Sequence, residues 1–231
     1  MKRIILLLSM CFLIGELAAR ELNKAFQLLP QPQSIELTEG KGINYLELSY
    51  IQPIDQASIP PLGDMLNRLP HFSRVGKPVR LQLTDQHVPS SPEGYTMEIN
   101  NQGVCISART MTGIFYGCQT LEQLMEDSRD FNLPIPAMQI TDYPAISYRA
   151  VHFDVKHHLD RIEYYYREID KLAQYKINAI IWELEDKLRY TRRPEIGAPN
   201  AISKQEMQAI CRYAKERNIE TSPLVQGLGH A

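Results

Sequence analysis

The sequence predicts an α+β domain followed by a parallel α/β segment, on three observations. Short strand-like runs bounded by turn residues fill the first half of the chain, and two of them flank a hairpin signal. Prolines crowd positions 133–144, where the texture changes. Beyond them the pattern becomes strand, helix, strand, helix, strand, the grammar of a parallel α/β unit in which chemistry sits at the C-terminal ends of strands.

The elements follow in order. Lys2-Arg3, the apolar run 4–15 and Leu17-Ala18-Ala19 have the form of a secretory signal over residues 1–19, with a mature start near Arg20. Glu16 interrupts the run before it reaches the roughly 20 residues a membrane span needs. The first domain is expected over 26–140, with strands at 35–37, 79–83, 95–99 and 104–107 and helices at 59–69 and 112–125. Asn100-Asn-Gln-Gly103 is the turn of a hairpin joining the 95 and 104 runs. Ile114, Tyr116, Gly117, Leu121 and Leu124 lie near one face of the second helix. The segment 133–144 is expected to be an extended link. The second part, 141–231, carries strand patterns at 149–155 and 177–186, helix patterns at 161–174 and 203–217, and a last apolar run from Thr221 into a polar loop ending at His230-Ala231.

Composition excludes some functions. A net charge of -2 over 231 residues, without a basic run, gives no electrostatic case for nucleic acid or an anionic membrane surface. Cys105, Cys118 and Cys211 are widely spaced and lack CxxC, so a disulfide framework or structural zinc is not expected, and small buried residues are. His152, His157 and His158 invite a metal reading, but they form no HExxH, and no metal or organic cofactor is expected. Tyr164-Tyr-Tyr166 point about 100° apart on a helix and read as packing, not as a sugar-stacking platform. Asp154, Asp186 and His230 fall at strand C-terminal ends. Strand alternation puts Glu183 and Glu185 on one side and Asp186 on the other, and from the residues alone a solvated strand edge is the favoured reading of Glu183, Glu185 and Asp186.

Glu93-Gly-Tyr-Thr-Met-Glu-Ile99, Gly103-Val-Cys-Ile-Ser-Ala108 and Thr112-Gly-Ile-Phe-Tyr-Gly-Cys-Gln-Thr-Leu-Glu-Gln-Leu124 resemble the N-terminal domain of glycoside hydrolase family 20, the β-N-acetylhexosaminidases. Tyr143-Pro-Ala-Ile-Ser-Tyr-Arg-Ala-Val-His-Phe-Asp154 and Lys176-Ile-Asn178 are similar to that family's entry into its catalytic barrel. Ile181-Trp-Glu-Leu-Glu-Asp-Lys187 departs from the common His-Trp-His-Leu-Thr-Asp-Asp. With Tyr190 and Pro223-Leu-Val-Gln-Gly-Leu-Gly-His230, it resembles the hexosaminidase D-like branch.

The resemblance implies an incomplete (β/α)8 barrel, with about three strands and two helices present, after the α+β domain. It implies an exported enzyme, periplasmic, cell-surface or extracellular, that removes terminal β-linked N-acetylhexosamine from glycans. The reaction would be substrate-assisted hydrolysis, in which the 2-acetamido oxygen attacks the anomeric carbon. By the resemblance Arg149 would hold sugar hydroxyls, Asp186 and His230 would form a relay to the general acid, and Asp154 would close the first barrel strand. The Asp-Glu pair that orients the acetamide and protonates the leaving oxygen is expected downstream, and residues 1–231 contain no Asp-Glu dipeptide. The chain alone is therefore expected to be inactive, with a complementing chain as a possible partner. A noncatalytic carbohydrate-binding or interaction fragment is the alternative.

Overall fold

The structure, a computed structural model, describes residues 24–52 and 76–225. The leader 1–19, the helix expected at 59–69 and the segment bearing His230 lie outside the described residues. What is described divides into two compact units, 24–52 with 76–143, and 144–225.

The first unit is built on a mixed six-stranded sheet. Its strands are β1 (Ser34–Leu37), β2 (Leu48–Gln52), β3 (Lys77–Leu83), β4 (Tyr95–Asn100), β5 (Gly103–Ala108) and β6 (Met138–Asp142), in the spatial order β1-β6-β4-β5-β3-β2. β4 and β5 form the expected hairpin, with Asn100 opposite Gly103. Gly103 takes φ +139°, and a Cβ there would lie 2.3 Å from the Pro78 carbonyl oxygen, so the turn requires glycine. Alternation sends Tyr95, Met97, Ile99, Val104, Ile106 and Ala108 to one face, all at most 1% exposed.

Helix α1 (Met111–Phe131) covers that face with Ile114, Phe115, Cys118, Leu121 and Leu124. Gly117 allows the close approach, since a Cβ there would lie 2.5 Å from Ile106 Cγ2. Thr110 caps the start by accepting from the Gly113 N–H, and Asn132 ends the helix at φ 52°. The helix thus runs six residues past its expected end at 125. Glu126 to Asp130 carry no apolar stripe, so periodicity stops where hydrogen bonding continues, up to the left-handed Asn132.

Two strands were not expected. β2 was absent from the sequence reading, and β6 falls inside the proline-rich link. Pro134 and Pro136 precede β6 instead of interrupting it, which leaves Met138 and Ile140 free to alternate inward beside β4.

The second unit repeats strand and helix: β7 (Ala150–Asp154), α2 (Ile162–Gln174), β8 (Ala179–Glu183), α3 (Lys204–Lys215) and β9 (Glu220–Pro223). The three strands are parallel, in the order β7-β8-β9. The β8 strand ends at Glu183, and Glu185–Lys187 form a 3-10 turn, so the expected alternation through Asp186 does not hold: Glu183 is buried and Glu185 exposed. β9 was expected to be buried; it is half-buried to exposed, because β8 flanks it on one side only among the described residues. Of the three cysteines among the described residues, Cys118 is buried, Cys105 and Cys211 are half-buried, and all three are free thiols.

Helix α3 begins with a full capping box: Ser203 accepts from the Glu206 N–H, and the Glu206 carboxylate accepts from the Ser203 N–H. Between α2 and α3, Asp170 accepts from Arg217 Nε at 2.5 Å and from the Tyr213 hydroxyl at 2.9 Å, and the Arg217 guanidinium stacks 3.3 Å from the Tyr213 ring centroid.

Candidate functional site

Register decides which side chains of the second unit meet. Ala150, His152 and Asp154 of β7 stand opposite Ala179, Ile181 and Glu183 of β8, and Ala179 and Ile181 stand opposite Glu220 and Ser222 of β9. With a side-chain period of two, these residues share one face of the sheet. Val151, Phe153, Ile180 and Trp182 take the other face. There Tyr165 of α2 closes an aromatic cluster, with ring centroids 5.4 Å from Trp182 and 6.2 Å from Phe153, while Phe153 and Trp182 meet edge-on at 5.0 Å. No helix covers the first face among the described residues.

On that face, at the C-terminal end of the strands, lies an ion-paired cluster. Glu183 is 2% exposed, and both its carboxylate oxygens are engaged: Oε1 accepts from Lys156 Nζ at 2.6 Å, and Oε2 lies 2.9 Å from His152 Nε2. The Lys156 ammonium also lies 3.7 Å from Asp154 Oδ2. Lys156 is placed by the chain just past β7, where the Val155 N–H continues the pairing by donating to the Glu183 carbonyl and Val155 itself is buried. The hydrogen bond to Glu183 is the main influence raising the Lys156 pKa, and the charges of Asp154, Glu183 and Glu185 act in the same direction. A buried carboxylate held by two cationic or polar donors is a rigid anchor for both of them.

The residues singled out in the sequence separate. Asp154 closes β7 and belongs to this cluster. Asp186 sits in the turn after β8, at the same end of the sheet; its Oδ1 accepts from Lys187 Nζ at 2.6 Å and its backbone carbonyl from the Ala198 N–H. Arg149 is at the opposite end. It precedes β7, about 16 Å from Asp154 at strand rise. Its guanidinium donates to the backbone carbonyls of Lys176, Ile146 and Ser147. In this structure Arg149 ties the start of β7 to the turn before β8. His230 lies outside the described residues.

Lys156, His152 and Glu183 were not predicted as a site. The signal was available in the apolar run itself: Ala179, Ile181 and Glu183 alternate on one face, so Glu183 continues a buried row instead of a solvated edge. His152 was weighed only with His157 and His158 as a metal group. His152 instead pairs with Glu183, and His158 pairs with Asp160 at 3.0 Å on the surface. Among the described residues no three His, Cys, Asp or Glu side chains are grouped as metal ligands, and no helix is long and apolar enough to cross a membrane.

Comparison with known proteins shows the family of the chain. The family model for glycosyl hydrolase family 20, domain 2, matches residues 25–143. A beta-hexosaminidase of Porphyromonas gingivalis is 32% identical over 170 residues, covering 64% of this chain and 22% of the relative. A beta-hexosaminidase of Vibrio vulnificus is 27% identical over 242 residues, covering 88% of this chain and 28% of the relative. The structure of a Streptomyces plicatus N-acetyl-beta-hexosaminidase in complex with Thio-NAglucal superposes with a TM-score of 0.73 at 24% identity, covering 89% of this chain and 47% of that one. At that identity the likeness is one of fold. The chain spans less than a third of the length of the two curated relatives.

Proposed function

The chain belongs to glycoside hydrolase family 20, and from that premise we propose that it is the N-terminal part of an exported β-N-acetylhexosaminidase. The enzyme removes terminal β-linked N-acetylglucosamine or N-acetylgalactosamine from glycans. The observation that carries this reading is the parallel β7-β8-β9 sheet that follows a family-matched first unit in the chain, with titratable side chains gathered at the strand C-termini. In (β/α)8 barrels that is the catalytic end, and we read residues 141–231 as the first strands and helices of such a barrel.

The chemistry proposed is substrate-assisted and retaining: the acetamido oxygen is the nucleophile, and a carboxylic acid protonates the leaving oxygen. Asp186, at the catalytic end, is assigned with His230 to a relay that orients and tunes the acid, with the carboxylate fixing the imidazole tautomer. The acid itself and the aspartate that orients the acetamide are an Asp-Glu pair that residues 1–231 do not contain. The 231-residue chain by itself is proposed to bind sugar without turnover, and a complementing chain or the product of the complete gene would supply the pair. Export follows from the leader at 1–19 and places the enzyme in periplasm, at the cell surface or in the medium.

The test compares p-nitrophenyl N-acetyl-β-glucosaminide with p-nitrophenyl β-glucoside, using the 231-residue chain and the product of the complete gene. Release of p-nitrophenol from the acetamido substrate alone, and only by the product of the complete gene, is the expected result. Equal hydrolysis of the plain glucoside would rule out acetamide participation. N-terminal sequencing of exported protein is expected to begin near Arg20.

A further inference from the structure

The turn that carries Asp186 is held by its own loop. β8 ends at Glu183, and Glu185 takes φ 43°, a left-handed conformation that is unfavourable for a residue with a Cβ. Asn132, Lys176 and Asn218 share that conformation where helices end, which is ordinary for a cap. Glu185 has no helix before it. A conformation of this kind persists only where its surroundings fix it. Residues 188–202 supply the fixing groups by folding back on the turn: Leu188 bridges Ile202, the Ile202 N–H donates to the Lys187 carbonyl, and the Arg189 N–H donates to the Ile202 carbonyl.

Two further bonds fall on the peptide groups at either side of Asp186. The Tyr190 hydroxyl donates to the Glu185 carbonyl at 3.0 Å, and the Ala198 N–H donates to the Asp186 carbonyl at 2.7 Å. Because each peptide group is planar, holding the two carbonyls fixes the two planes that meet at the Asp186 Cα, and with them the direction of its side chain. Lys187 Nζ then takes one carboxylate oxygen at 2.6 Å. The Ala198 donor belongs to the backbone, and any residue but proline supplies it. The Tyr190 donor is a side chain, anchored beside the Leu188–Ile202 bridge. We infer that Tyr190 is a positioning residue for Asp186: its hydroxyl keeps Glu185 left-handed and so sets the direction in which the Asp186 carboxylate meets the relay imidazole. This role rests on the relay of Asp186 and His230 in the hexosaminidase reading. Water can satisfy the Glu185 carbonyl when the hydroxyl is gone, but it does not fix the plane.

The test is Tyr190→Phe, which keeps the ring and removes the hydroxyl. In the 231-residue chain, a strong amide–Hα NOE within Glu185 marks the left-handed conformation and is expected to weaken in Tyr190→Phe. In the product of the complete gene, with p-nitrophenyl N-acetyl-β-glucosaminide as substrate, kcat is expected to fall about tenfold, an effect within reach of a small misplacement. KM is expected to stay within about twofold, because Tyr190 acts through Asp186 and not on the sugar. Two double variants separate positioning from a general loss of structure. Glycine takes φ above zero without a Cβ penalty, so Glu185→Gly added to Tyr190→Phe is expected to bring kcat back to within about threefold of the parent. In an Asp186→Asn background, Tyr190→Phe is expected to change kcat less than about twofold, since residues that act as one unit do not add. An undiminished NOE, an unchanged kcat, a failed rescue by glycine, or a loss that persists in the Asp186→Asn background overturns the proposal and leaves the hexosaminidase reading standing. If the unaltered product of the complete gene leaves the acetamido substrate intact, the hexosaminidase reading falls and the catalytic role of Tyr190 falls with it, while the NOE still decides whether the hydroxyl holds the turn.

Discussion

Each unit is a sheet with apolar side chains on one face and a face left uncovered by helices among the described residues, but the uncovered faces differ. In the first unit it carries Thr96, Glu98, Cys105, Ser107, Gln139 and Thr141, half-buried or exposed groups that water can satisfy singly. Among the polar groups buried in that unit, Tyr95, Thr120 and Asp142 lie on the α1 side and bond with one another. In the second unit the open face carries Glu183, 2% exposed and bonded to Lys156 and His152. Burying a charge is costly unless it is paired. Glu183 is held by two partners from β7 and the loop after it, whereas Tyr95, Thr120 and Asp142 are held by one another beneath α1.

The comparison is broken most severely at Trp182. Trp182→Ala removes the ring that Phe153 and Tyr165 pack against and is expected to cost about 3–5 kcal/mol. Hydrogen exchange should show protection lost across β7, α2 and β8 while β4, β5 and β6 stay protected. Loss of protection in both sheets would mean that the two units do not hold themselves together separately.

Tyr95→Phe sharpens the distinction between core and open face within the first unit. The Tyr95 hydroxyl lies 2.6 Å from Thr120 Oγ1 and donates to Asp142 Oδ2 at 3.2 Å, in a site where all three residues are buried. Its deletion leaves both partners short of one bond and is expected to cost about 1–3 kcal/mol in urea denaturation. Thr96→Ala, one residue away on the open face, should stay within about 0.5 kcal/mol. Equal costs would remove the argument that buried polar groups in this unit serve packing.

At α3 the effect is local. Ser203→Ala removes the side-chain half of the capping box and is expected to cost about 1 kcal/mol. The Glu206 carboxyl pKa is lowered chiefly by its side-chain hydrogen bond with Ser203, aided by the Ser203 backbone N–H. A lowered folded-state pKa gives stability that is present above the unfolded value, about 4.3, and lost as pH falls through the folded one. The cost of Ser203→Ala should shrink in that acidic window; a constant cost would assign the whole effect to the hydroxyl.

The legibility of the sequence follows the same division. Alternation in β4 and β5, the Asn100–Gly103 turn and the apolar face of α1 are local signals, and each was readable because neighbouring residues specify it. β6 was hidden because Pro134 and Pro136 dominate its surroundings, although both lie before the strand. At the site, Asp154 and Asp186 were found from their place at the ends of apolar runs. Glu183 was read as part of a solvated edge, because its partners Lys156 and His152 reach it from the loop after β7 and from β7 itself, twenty-seven and thirty-one residues away. Arg149 was singled out by likeness of its surrounding motif alone, and its backbone-carbonyl partners were not legible because they come from the turn before β8 and from residues 146 and 147.

The smallest effect is expected at Asp127 on α1. Burial is the largest influence on its carboxyl and raises its pKa, the charges of Asp130 and Glu126 add to the rise, and a hydrogen bond from the Gln27 backbone opposes it. Its Oδ2 is buried without a hydrogen-bond partner. A folded-state pKa above the unfolded value of about 3.9 means that the folded chain holds this proton more tightly. The stability from the group is fully present below that pH and lost as pH rises through the folded pKa. Asp127→Asn keeps an oxygen for the Gln27 N–H and removes the charge, so it is expected to gain a few tenths of a kcal/mol at pH 7 and nothing at pH 3.5, where the aspartate is already protonated. Urea denaturation at the two pH values decides it. An equal gain at both would place the cause in side-chain packing and would weaken the claim that a half-buried carboxylate with one unpartnered oxygen is a liability, unlike Glu183, whose two oxygens are both engaged.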